Sequence, residues 1–143
     1  MRKGVKRSRH SWWAGCLLVV VSAAIAVTAC DAKKSAGPAS ISPGELAELI
    51  QLEKAPLILD VRSKKEYREA HIPGAVNIPH DQLRDRLSEI NAAKTDEIVV
   101  HCKSGYRAEI AEKVLSEAGY SNLRDLDGHM NAWQSGGYPI EQP

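Results

Sequence analysis

Cysteine is scarce in this chain. Three occur in 143 residues, Cys16, Cys30 and Cys102, and only Cys102 stands beyond residue 30. A segment with one cysteine cannot close an internal disulfide, so residues 41–143 must be held by an apolar core alone. A basic stripe is also missing. The 19 basic and 18 acidic residues become 14 and 18 once the five cations ahead of Cys30 are set aside, namely Arg2, Lys3, Lys6, Arg7 and Arg9. That mildly acidic remainder argues against nucleic acid as a partner. Internal repeats are absent as well.

The chemistry that is present concentrates on one run, Ile98-Val99-Val100-His101-Cys102-Lys103-Ser104-Gly105-Tyr106-Arg107-Ala108. An apolar stretch stops at a cysteine, a short loop with a glycine comes next, and a helical pattern begins. A strand-loop-helix of this kind turns backbone N–H groups toward the loop's centre, and the helix adds its positive dipole end. Lys103 and Arg107 add fixed positive charge, and such surroundings favour a reactive thiolate over an inert buried thiol. His101 is expected to face away from Cys102, because successive strand residues point to opposite faces.

The N-terminal region reads as a targeting segment. Five cations and no acid precede an apolar run from Trp12 to Ala29, the anatomy of a secretory signal, although that run is also long enough to span a bilayer. Val27-Thr28-Ala29-Cys30 resembles the bacterial lipoprotein box, in which the cysteine is lipidated and becomes the new N-terminus. The resemblance implies a signal peptide over residues 1–29, lipid on Cys30, and an exported, membrane-anchored protein facing the periplasm or the cell exterior. Residues 31–40, small and rich in Gly, Pro and charge, read as a linker, and 41–143 as one domain.

Within that domain short apolar runs alternate with amphipathic stretches. Ser42 and Glu45, then Ser63 and Glu66, have the spacing of capping boxes. Leu57–Val61 and Ile98–His101 read as strands covered on both faces. Asp81 is expected to cap a helix striped by Leu83, Leu87 and Ile90. Gly119 ends the helix after Cys102, Leu123–Leu126 is a last strand, and Trp133 belongs to the core. This alternation argues for an α/β fold, a parallel sheet of about five strands with helices on both faces. In such sheets ligands sit beyond the carboxyl ends of the strands, where Cys102, Asp60 and Arg62 fall.

Five segments in order resemble the rhodanese family of sulfurtransferases: Asp60-Val61-Arg62, Glu66-Tyr67, His71-Ile72-Pro73-Gly74-Ala75, Cys102 to Arg107, and Gly128 through Ala132-Trp133. The departures are Ala70 and His129, each where the family often has glycine, and neither is expected to touch the loop. The resemblance implies a rhodanese-like fold and a catalytic Cys102. That cysteine would take sulfane sulfur from thiosulfate or another small anionic donor as a persulfide, and pass it to a thiol or cyanide. It implies an anion-binding loop of Lys103, Ser104, Gly105, Tyr106 and Arg107, support from Asp60, Arg62 and Glu66, and no metal or organic cofactor. The alternatives are a non-catalytic rhodanese-like binding module or a cysteine-dependent phosphatase or arsenate reductase. Only four residues separate Cys102 from Arg107, one fewer than in familiar cysteine phosphatases, and the tighter ring suits a single sulfur atom.

Overall fold

The computed structural model describes residues 39–142. The elements run β1 (Ala39–Ile41), α1 (Pro43–Gln51), β2 (Leu57–Asp60), α2 (Lys64–Glu69), β3 (Val76–Asn77), a 3₁₀ helix (Leu83–Glu89), β4 (Ile98–His101), α3 (Tyr106–Glu117), β5 (Leu123–Leu126) and α4 (His129–Ser135). The five strands form one sheet in the order β1-β5-β4-β2-β3, and every pair is parallel. The first strand begins at Ala39, two residues inside the segment read as linker. Ala39 and Ser40 pair with Arg124 and Asp125 of β5.

The near-continuous apolar runs of the strands feed two cores. Leu59, Val61, Ile98, Val100 and Leu123 pack with Ala108, Ala111 and Leu115 of α3 and with Leu83. Ile41, Ile58, Val99 and Leu126 pack with Leu46 and Ala47 of α1 and with Met130 and Trp133 of α4. Helices therefore cover both faces, as the strand composition predicts. Trp133 is fully buried and its indole N–H donates to the Pro139 carbonyl at 2.7 Å, so the largest core side chain leaves no polar atom unsatisfied.

Local signals account for most helix ends. At α2 the capping box is complete: the Glu66 N–H donates to Ser63 Oγ at 3.3 Å and the Ser63 N–H donates to Glu66 Oε2 at 3.1 Å. At α1 only half of the expected box forms. The Glu45 N–H donates to Ser42 Oγ at 3.2 Å, while the Glu45 carboxylate pairs with Arg124 at 3.1 Å. Gly119, with φ +91°, comes just after the last turn of α3. The segment after Asp81 departs from expectation. It is a 3₁₀ helix entered from Gln82 without a side-chain cap, and Arg86 at φ −116°, ψ 18° breaks its helical path. Leu83 and Ile90 still reach the core, with Leu87 packed against it; short 3₁₀ turns suffice to bring all three apolar side chains to the same core.

The strand order fixes where chemistry can gather. From β2 the chain crosses through α2 outward to β3, and from β4 it crosses through α3 the other way to β5. The order reverses between β2 and β4, which is the crevice where open parallel sheets hold ligands. Asp60 ends β2 and His101 ends β4, and the two are register partners.

Candidate active site

Cys102 comes directly after the last residue of β4, the central strand, and is 1% exposed. The chain then turns through Lys103 and Ser104 to Gly105, which precedes α3 with φ +117°, a conformation that side chains resist. That turn aims the Gly105 N–H at the Cys102 sulfur, 3.1 Å away. Two of the loop's carbonyls face elsewhere. The Met130 N–H donates to the Cys102 carbonyl at 3.0 Å and the Asn131 N–H to the Lys103 carbonyl at 3.2 Å. The first turn of α4 thus takes up these acceptors and leaves the loop's donor side for the sulfur.

Arg107 sits in the first turn of α3, where the helix dipole disfavours a cation. Its compensation is Glu66 on α2. Both guanidinium nitrogens Nη1 and Nη2 donate to that carboxylate, at 2.7 and 2.8 Å. The Arg107 hydrogen bonds, partly offset by burial and aided by those from Ser63, pull Glu66 down to about 2. Arg107 is in turn held charged chiefly by Glu66, with the Cys102 thiol contributing after it. This fork joins α2 to α3 across the crevice and steers the guanidinium beside the sulfur.

Asp60 and Arg62 form a separate unit. The Arg62 Nε donates to both Asp60 oxygens at 3.0 Å, Nη2 closes the fork, and Nη2 also donates to the Ala70 carbonyl at 2.8 Å. Both side chains are buried, and a buried pair is tolerable only with its remaining polar atoms satisfied. Asn77 helps by donating to the Asp60 and Arg62 carbonyls at 2.8 and 2.9 Å. Glu66, grouped with this pair from sequence, belongs to Arg107 instead, because one carboxylate serves both the α2 cap and the guanidinium.

The remaining residues divide by exposure. Lys103, Ser104 and Tyr106 are exposed, Tyr106 at 75%, and Lys103 makes no ion pair among the described residues. His101 is fully buried with Nε2 3.8 Å from Asp60 Oδ2, and burial pulls it down to about 4, leaving it a neutral imidazole. His129 corrects an expectation. It does touch the loop: a Cβ built on Gly105 would lie 2.9 Å from its Nε2. The sequence signal was the missing glycine; the contact itself joins residues 24 positions apart and has no local signature. Beside the site a cleft of about 350 Å³ is lined by Ser63, Lys64, Lys65, Pro79, His80, Asp81, Gln82 and Arg107. A larger cleft of about 640 Å³, lined by Leu57, Glu97 and Arg124 among others, lies at the opposite ends of the strands.

The family model of the rhodanese-like domain matches residues 42–136. The chain belongs to that family. Among curated relatives, it is 33% identical over 70 residues to thiosulfate sulfurtransferase PspE of Escherichia coli, covering 49% of this chain and 67% of that one. It is 36% identical over 92 residues to the thiosulfate:glutathione sulfurtransferase of Saccharomyces cerevisiae, covering 57% of this chain and 66% of that one. The chain spans less than half the length of other relatives, between 23% and 43% of them. A crystal structure of the Alr3790 protein from Anabaena superposes with a TM-score of 0.66 at 31% identity, covering 72% of this chain and 82% of that one. The rhodanese-like domain therefore has sulfurtransferase relatives and a shared fold. Residues 1–38, with the lipidation expected at Cys30, lie outside the described residues, and no described helix is long and apolar enough to cross a membrane.

Proposed function

We propose that this protein is a sulfurtransferase that moves sulfane sulfur through a persulfide on Cys102. The observation that carries the reading is the Gly105 N–H on the Cys102 sulfur at 3.1 Å, in a loop whose Cys102 and Lys103 carbonyls are drawn away toward α4. With thiosulfate as donor, the Cys102 thiolate attacks the outer sulfur. The bond between the two thiosulfate sulfurs breaks, sulfite leaves with its electron pair, and Cys102 carries a terminal sulfur with one negative charge. A thiophilic acceptor, cyanide or a thiolate, then attacks that terminal sulfur and leaves as thiocyanate or a persulfide, restoring the thiolate. Charge is conserved at each step, and no oxidant is consumed. Thiolate fraction and access set the rate of such exchange. The Gly105 N–H and the Arg107 guanidinium hold negative charge where it develops, as pre-placed donors do in acyl and phosphoryl transfer. Exposed Lys103 draws the anionic donor. Sulfurtransferase relatives support the reading at family level.

The test is mass spectrometry of the purified full chain. Thiosulfate adds one sulfur, about 32 Da, to the peptide containing Cys102, cyanide removes it, and Cys102→Ser abolishes both events. Thiosulfate:cyanide turnover that survives in Cys102→Ser overturns the assignment.

We propose further that lipid on Cys30 tethers this activity to a membrane on the exported side, supported by the five leading cations, the Trp12–Ala29 run and Val27-Thr28-Ala29-Cys30.

A further inference from the structure

We propose that His129 is a positioning residue for the sulfur-carrying loop: its imidazole, seated between Gly105 and Asp125, holds the Gly105 N–H on the Cys102 sulfur. The proposal rests on Cys102 as the sulfur carrier. His129 is 5% exposed and holds φ at +53°, a region that costs a non-glycine residue strain. That strain sets the ring against the loop. Its Nε2 occupies the space where a Gly105 Cβ would intrude at 2.9 Å. Its Nδ1 lies 3.6 Å from Asp125 Oδ1, and neither atom has a hydrogen-bond partner. The ring therefore stands between a carboxylate on β5 and the loop residue whose N–H donates to the sulfur. Behind Asp125 stands Glu112 of α3. The backbone reinforces the geometry, since the N–H groups of Met130 and Asn131, next in chain, hold the carbonyls of Cys102 and Lys103.

Gly105 is the freest residue of the loop, and its φ of +117° is set by nothing in its own side chain. Packing an imidazole against it removes the rotation that would turn its N–H off the sulfur. His129 reaches the sulfur only through Gly105. Its effect falls on the step at Cys102 rather than on donor binding, the pattern of a preorganising residue.

The experiment compares wild type, His129→Gly and His129→Asn in the full chain. Both replacements tolerate positive φ, so each relieves the strain. Asn retains a polar group toward Asp125 but is too short to press on Gly105. Both variants should melt no lower than wild type by more than a degree or two. Both should nevertheless alkylate Cys102 with iodoacetamide more slowly at fixed pH, tracked on the Cys102 peptide by mass. In both, kcat for thiosulfate:cyanide transfer should fall about tenfold with KM unchanged, the loss of one hydrogen bond to a charged group. Alkylation and kcat at wild-type values in His129→Gly, or losses that track a fall in melting temperature, overturn the proposal. If wild type takes up no sulfur from thiosulfate, the sulfurtransferase reading falls, while the alkylation comparison still decides the role of His129.

Discussion

The Glu66 carboxylate makes one side chain perform two tasks. Oε2 accepts from the Ser63 N–H and hydroxyl at 3.1 and 2.7 Å, and the same carboxylate receives the Arg107 fork. Its fall from 4.5 to about 2 means that the folded protein holds this proton more weakly than the unfolded chain does. The stabilisation is therefore complete above pH 4.5 and is lost as pH falls through 2. Both partners are partly solvated, at 24% and 28% side-chain exposure, so the pair is expected to contribute on the order of 1 kcal/mol rather than the full value of the shift. Glu66→Gln should be less stable than wild type by that amount at pH 6, with the gap closing toward pH 2. Denaturant unfolding at several pH values reads it, and a gap that is constant with pH removes the ion pair as its cause. The sequence disclosed the local half of this residue's role, because Ser63 and Glu66 are three apart. It hid the other half, because Arg107 lies 41 positions away and only the fold brings it near.

Across α3 and β5 a pair of carboxylates runs against stability. Glu112 of α3 is buried at 8% exposure beside Asp125 of β5, and its Oε1 has no hydrogen-bond partner. Burial first, then the charge of Asp125, push Glu112 up to about 7; burial also raises Asp125. A raised acid binds its proton more tightly when folded, so stability is highest below pH 4.5 and declines as pH rises toward 7. Glu112→Gln should stabilise the protein by about 1–2 kcal/mol at pH 8 and leave it nearly unchanged at pH 4. Thermal midpoints at the two pH values measure this, and equal shifts at both exclude the electrostatic cause. The sequence pattern of α3 marks Ile110, Val114 and Leu115 as its apolar stripe, yet only Leu115 is buried, Val114 is half-buried and Ile110 is exposed; the buried face carries Ala108, Ala111 and Glu112, and the pattern gives no reason for an acid there. In general, elements signalled by period and caps were legible: α2 by its box, β2 and β4 by their apolar runs, the end of α3 by Gly119. The elements that escaped lack a local pattern. β1 is three residues, Ala-Ser-Ile, that become a strand only by pairing with β5, and the 3₁₀ segment presents the same apolar spacing that a helix would. The site divides in the same way. Cys102 and its glycine loop sit in one contiguous run, whereas the contact of His129 with Gly105 and the true partner of Glu66 depend on tertiary placement.

The whole chain joins this domain to a segment of opposite charge character. All five residues with charge ahead of Cys30 are cations, and the remainder is acidic. Leading cations favour a cytoplasmic N-terminus, which under the targeting proposal would place the chain beyond the apolar run on the exported side. One acyl chain binds a membrane only marginally, whereas a lipidated N-terminal cysteine with several chains anchors firmly. In the oxidising compartment that this proposal implies, Cys102 would have no second cysteine within the domain to pair with and would stay available for exchange with sulfur donors. The full-length protein should therefore fractionate with membranes and incorporate labelled palmitate. Cys30→Ala should take no label, with its sulfur transfer intact, since the substituted residue lies outside the domain matched at 42–136. Three outcomes separate the possibilities. Label on wild type that is lost in Cys30→Ala supports lipidation. Unlabelled wild type that stays on membranes together with Cys30→Ala shows an uncleaved apolar helix as the anchor. Wild type found soluble in the cytoplasm overturns the targeting proposal and leaves the chemistry of Cys102 untouched, because the loop geometry that supports it is built from residues 102–131.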